Sequence, residues 1–125
     1  MTEREKIITG YIDGYNQFDI DKMIEHFDGN IMFENISNGE TNMSLTGLAS
    51  FKEQARQVKK YFSKRKQTIK SFKHQNDETE IEIDYYAILA IDFPDGLKKG
   101  GELKLSGKSI FRFSDNTIIK LTDIS

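Results

Sequence analysis

The chain has 125 residues, enough for one hydrophobic core and short for two, so a single domain over 1–125 is expected. Its 18 basic and 20 acidic residues leave a formal charge of −2, which gives no positive field to hold a phosphate backbone and argues against a nucleic-acid partner. Zero cysteines exclude a disulfide framework, a thiolate zinc site and a cysteine nucleophile, in keeping with a reducing cytoplasm.

At the N-terminus the charged segment Met1-Thr2-Glu3-Arg4-Glu5-Lys6 leads into no apolar signal core, and no run approaches the roughly 20 apolar residues that cross a bilayer. Neither export by that route nor a membrane is expected. Ile7, Ile8, Tyr11, Ile12 and Tyr15 recur at helical spacing behind Thr2-x-x-Glu5, a capping box, and predict a helix over 3–16. Asp19 is placed to cap a second helix, stapled by Phe18 and Met23, with Ile20, Met23, Ile24 and Phe27 on one side and Gly29 as its stop. Residues 31–36 read as a strand, and Asn38-Gly39 supplies the positive φ of a tight hairpin turn returning near Leu45. Leu48, Phe51, Ala55, Val58, Tyr61 and Phe62 then predict a third helix from Gly47 to about Ser63, with Ser50-x-x-Glu53 as its cap.

The second half reads as strands. Residues 66–75 lead to a turn at Asn76-Asp77, and Ile81, Ile83, Tyr85, Ala87, Leu89, Ile91 and Phe93 alternate with acidic residues along a half-buried strand. Pro94-Asp95-Gly96 and Gly100-Gly101 bound a loop. Leu103, Leu105, Phe111 and Phe113 alternate again, Ser114-Asp115-Asn116 turns, and 118–124 forms the last strand. Helices ahead of consecutive antiparallel strands indicate an α+β domain with the helices on one face of a sheet and a mostly apolar pocket between the layers.

The order of these elements, with GYIDGYNQFDIDKMIEHF followed by NIMFEN, resembles the nuclear transport factor 2-like superfamily over nearly the whole chain. Within it the pattern is similar to the ketosteroid-isomerase and SnoaL-like polyketide-cyclase branches, and SIFRF at 109–113 and NTIIKLTD at 116–123 fit the same branches. The resemblance implies a cone-shaped, cystatin-like fold, three N-terminal helices on a curved antiparallel sheet around a deep pocket, and a homodimer formed through the sheet. Its isomerase chemistry needs a carboxylate base, a helix-one tyrosine and a protonated aspartic acid. The tyrosine is matched by Tyr11, but the base position falls on Asn35 and the acid position on Ser109, so steroid-type isomerisation is not expected. The SnoaL-like pattern puts an aspartate in the last strand, where Asp123 stands.

Asp123 and Tyr11 are therefore the candidate catalytic pair, since a carboxyl facing an apolar cavity has its pKa raised into the working range of a general acid or base. Two places are open to Asp123: the pocket wall, or a frayed and solvated edge, with Ile119 and Leu121 on its face and Ile118 and Ile124 on the other. Tyr15, Phe33, Asn35, Tyr85, Ser109 and Phe111 are the candidate ligand-binding residues, Asn35 offering both a donor and an acceptor. His26 and His74 lack metal-ligand spacing and read as surface residues, so neither a metal nor another cofactor is expected. The segment 101–109 has five residues between its glycines where a phosphate loop has four, and alternates like a strand. Lys59-Lys60 and Lys64-Arg65-Lys66 read as the solvated end of the third helix, with an anionic partner as the lesser alternative. Tyr86, Ile88 and Ala90 leave apolar surface on the outer face of the long strand, suited to pairing with a second copy. The expected function is binding of a small, largely apolar molecule, with isomerase- or cyclase-type acid/base activity or as a non-catalytic carrier or interaction module.

Overall fold

The computed structural model describes all of residues 1–125. In chain order the elements are α1 (Glu3–Asn16), α2 (Ile20–Met23), β1 (Phe27–Ser37), β2 (Glu40–Thr46), α3 (Leu48–Lys59), β3 (Phe62–Gln75), β4 (Glu78–Leu89), β5 (Glu102–Ser114) and β6 (Thr117–Ile124). The strands form one sheet in the order β2-β1-β6-β5-β4-β3. Every neighbouring pair is antiparallel except β1 and β6, which run parallel. That pair joins the β1–β2 hairpin to the β3–β6 meander, so the sheet is mixed at one seam. No helix is long and apolar enough to cross a membrane.

Local signals explain α1. Thr2 accepts from the Glu5 amide at 3.1 Å while Glu5 accepts from the Thr2 amide at 3.3 Å, closing the capping box. Ile7, Ile8, Tyr11 and Ile12 are buried on its inner face. At its other end the Asn16 amide clips the backbone of β3, donating to Gln67 O at 3.1 Å and accepting from Gln67 N at 2.7 Å. β3 is an edge strand, and these bonds use backbone groups that an edge leaves free.

The second helix departs from expectation, ending at Met23 after a single turn. Phe27 is already a strand residue paired with Ile118, and the Ile118 amide donates to His26 O at 2.8 Å. Sheet pairing there outweighs the helical spacing of Ile24 and Phe27. The turn packs tightly on α1, where a Cβ on Gly14 would lie 2.8 Å from Met23 N, so only glycine fits. Phe18, at φ 59°, lies against Arg65. The third helix starts from Gly47 with no side-chain cap, and it ends at Lys59. Ser50 lies inside it, and Glu53 instead accepts from Gln57 at 3.1 Å.

The β1–β2 turn has Asn38 at φ 53° and Gly39 at φ 79°, as the dipeptide requires. The long strand β4 stops at Leu89, which leaves Ile91 and Phe93 in the following loop. Residues 101–109 run into β5 as a strand. On β6 the register shifts so that Arg112 faces Lys120 and Phe113 faces Ile118, leaving Ile119 as the extra residue of a bulge. Simple alternation from Leu121 back to Ile119 therefore fails, and Ile118 joins Leu121 in the core. The core lies between α1, α3 and the inner sheet face, with Ile8, Ile31, Ile81, Phe111, Ile118 and Leu121 all but removed from water.

Candidate functional site

Strand register lines up Asn35 of β1, Asp123 of β6 and Ser109 of β5 in one row across three adjacent strands. The next row along the strands holds Phe33, Leu121 and Phe111. Above these rows the helices leave a cavity of about 230 Å³, lined by Tyr11, Tyr15, Phe33, Asn35, Arg65 and Asp123 together with Met23, Met43, Phe51, Gln54, Ala55 and Val58. A smaller cavity of about 110 Å³ also borders Asn35 and Asp123, and Tyr85 and Ser109 form part of its wall.

The structure thus gathers most of the candidate residues around Asp123. Phe111 is the exception: it is 0% exposed and lies behind the wall, edge-on to Tyr11 with centroids 5.6 Å apart. Tyr15 and Tyr85 are linked directly, the Tyr15 hydroxyl donating to the Tyr85 hydroxyl at 2.9 Å. Asn35 donates its amide to Asn42 on β2 at 2.8 Å, which fixes its side chain across the hairpin.

Asp123 is the acid of the site. Ser109 Oγ donates to its Oδ1 at 2.7 Å, and burial pushes its carboxyl from 3.8 up to about 6, with the serine bond pulling weakly the other way. Tyr11 is held protonated well above its ordinary range, first by burial and then by the negative charge of Asp123, with Arg65 opposing. Its hydroxyl takes part in none of the side-chain hydrogen bonds within the protein, although it lies on the cavity wall. Tyrosine hydroxyls in such surroundings normally find a partner. A neutral donor and a carboxyl that ionises near neutrality therefore border one apolar space.

Arg65 was not expected here. Instead of ending a helix, residues 62–75 form β3, and Arg65 and Gln67 point inward while Lys64 and Lys66 are exposed. The alternation of Arg65, Gln67 and Ile69 was the available signal, masked by the surrounding lysines. Met23 and Met43 line the cavity with no signal for it in the sequence, and Phe51, Ala55 and Val58, which helical spacing places on the apolar face of the third helix, line it as well.

No three or more His, Asp or Glu side chains gather as a metal-binding group. His74 sits on β3, its Nε2 2.7 Å from Glu5 Oε2 and its Nδ1 2.8 Å from Thr79 Oγ1. That pairing lowers the Glu5 pKa and ties β3 to α1.

The amino-acid sequence matches no protein-family model and no curated protein. Solved structures do resemble the fold. IdmH from Streptomyces antibioticus, a candidate polyketide cyclase, superposes with a TM-score of 0.81 at 12% identity, over 98% of this chain and 91% of its own. A candidate polyketide cyclase from Acidithiobacillus ferrooxidans gives 0.81 at 16% identity, over 98% and 87%. A cystatin-fold protein of unknown role from Novosphingobium aromaticivorans gives 0.74 at 12% identity, over 100% and 99%.

Proposed function

From the nuclear transport factor 2-like fold of this chain, we propose that it binds a small, largely apolar ring molecule between helices and sheet and moves a proton on it, as a SnoaL-like cyclase or isomerase would. The observation that carries this reading is the Asp123 carboxyl, brought to about 6 at the wall of an apolar cavity. An engineered cavity of roughly 150 Å³ holds benzene, so about 230 Å³ suits one substituted ring. The chemistry is enolisation. Ionised Asp123 takes a proton from the carbon next to a carbonyl, the Tyr11 hydroxyl donates a hydrogen bond to the developing enolate oxygen, and Asp123 returns the proton to carbon. Ser109 holds the carboxyl in place, and Phe33, Phe51 and Val58 exclude water from the ring.

Deuterium exchange at the α-carbon of phenylacetone, followed by proton NMR in D2O, tests this. Exchange should accelerate with the protein present, rise as pH passes through about 6, and fall by about 10²-fold or more in Asp123→Asn. Equal exchange by the two proteins would remove Asp123 from the role.

A ligand carrier without chemistry is the second reading. It is favoured by Asn35, a group that cannot titrate near neutrality, at the place where the isomerase branch has its base. Binding of ring ketones with no exchange would select it. In either case the reading keeps a cytoplasmic homodimer paired through the outer sheet face, where Tyr86 and Ile88 are half-buried and Lys64 Nζ lies 5.8 Å from the Tyr86 ring centroid.

A further inference from the structure

Arg65 is the one basic side chain on the wall of this cavity, and it has no ion-pair partner. Only 3% of the residue is exposed, and its guanidinium carbon lies 3.7 Å from the centroid of the Tyr15 ring and 4.5 Å from that of Phe18. Nε donates to the carbonyl of Tyr15, near the C-terminus of α1, at 2.8 Å. Its Nη2 is buried with no hydrogen-bond partner, and none of the ion pairs of the molecule includes Arg65. Two ring faces and the negative end of a helix meet part of the charge. They supply one acceptor for a group with five donors. A buried cation left in that state is destabilising, and an anion would relieve it.

No protein group supplies that anion. Asp123 is the sole carboxyl on the wall of the larger cavity; it is bonded to Ser109, and burial drives it towards its neutral form with no cation pulling against that drive. The planar fork of a guanidinium matches the two oxygens of a carboxylate. We propose that the molecule occupying this cavity carries an acid group, a carboxylate or an ionised enol, and that Arg65 selects it by charge-assisted hydrogen bonding while the ring lies against Phe33, Phe51 and Val58. The substrate class is then a small aromatic or alicyclic acid. This rests on the cavity being a site for ring molecules and adds the charge of the occupant.

Benzoate and its neutral isostere benzamide separate the two ideas. In a 1H–15N titration of the wild-type protein, benzoate should shift the Arg65 Nε–H resonance and the amides of Phe51 and Val58, and bind roughly ten-fold or more tightly than benzamide. Arg65→Met should bind both compounds alike. Benzoate that binds without moving the Arg65 resonance, or benzamide that binds as well as benzoate, overturns the acid group and leaves the ring site standing. Failure of both compounds to bind at about 20 mM overturns both. Because the Arg65 resonance is read in the wild-type protein, the test survives an Arg65→Met chain that does not fold.

Discussion

At the closed end of the cavity, Tyr11, Phe27, Phe51 and Phe111 meet stacked or edge-on at centroid distances of 4.9 to 5.6 Å, backed by Ile118 and Leu121. Along the same wall, Arg65 Nη2 is buried without a partner, the Tyr11 hydroxyl makes no side-chain hydrogen bond within the protein, and Asp123 is bonded only by Ser109. In the first region every surface finds its complement, and burial of apolar area stabilises the fold whatever the pH. In the second, groups are kept in states that cost stability and that a bound molecule would relieve. The contrast teaches that the sheet supplies both a foundation and a site by changing the residue types in neighbouring rows.

The largest effect expected from breaking this contrast comes at the closed end. Phe111→Ala should lower unfolding free energy by about 3–5 kcal/mol in urea titrations, equally at pH 5 and pH 8, because it removes packing and no charge. Asp123→Asn should act in the opposite direction. The folded carboxyl has its pKa raised from 3.8 to about 6, so its contribution is fully present below about pH 4 and is lost as pH rises through 6. Removing the charge should therefore gain up to about 3 kcal/mol at pH 8 and nothing at pH 4, by thermal and urea unfolding, while proton exchange is lost. The smallest change in stability is expected for Tyr11→Phe. Its hydroxyl has no partner to lose, so unfolding should move by less than about 1 kcal/mol, whereas phenylacetone exchange should slow by about 10²-fold.

Much of the frame is legible residue by residue. Thr2 and Glu5 mark the start of α1, Asn38-Gly39 marks the hairpin, and the alternation of Ile81, Ile83, Ala87 and Leu89 marks the buried face of β4, each within a few residues of the feature it predicts. The site is legible in part. Of the candidate residues, Tyr11, Tyr15, Phe33 and Asn35 line the larger cavity; Tyr85 and Ser109 border the smaller, and Phe111 lies behind both. Arg65 was hidden because its neighbours Lys64 and Lys66 made a solvated helix end the simpler reading.

The sequence by itself determined the helix-then-strand order, the turns and the apolar faces, because capping, φ preference and periodicity act between residues close along the chain. Tertiary structure alone decided the short second helix, the parallel β1–β6 seam, the bulge at Ile119 and the inward turn of Arg65. It also decided between the two places open to Asp123, by pairing it with Asn35 on one side and Ser109 on the other. The seam and the placement of Asp123 depend on register between strands far apart in the chain, as Asn35 and Asp123 are, and a single residue of shift would turn each side chain to the opposite face.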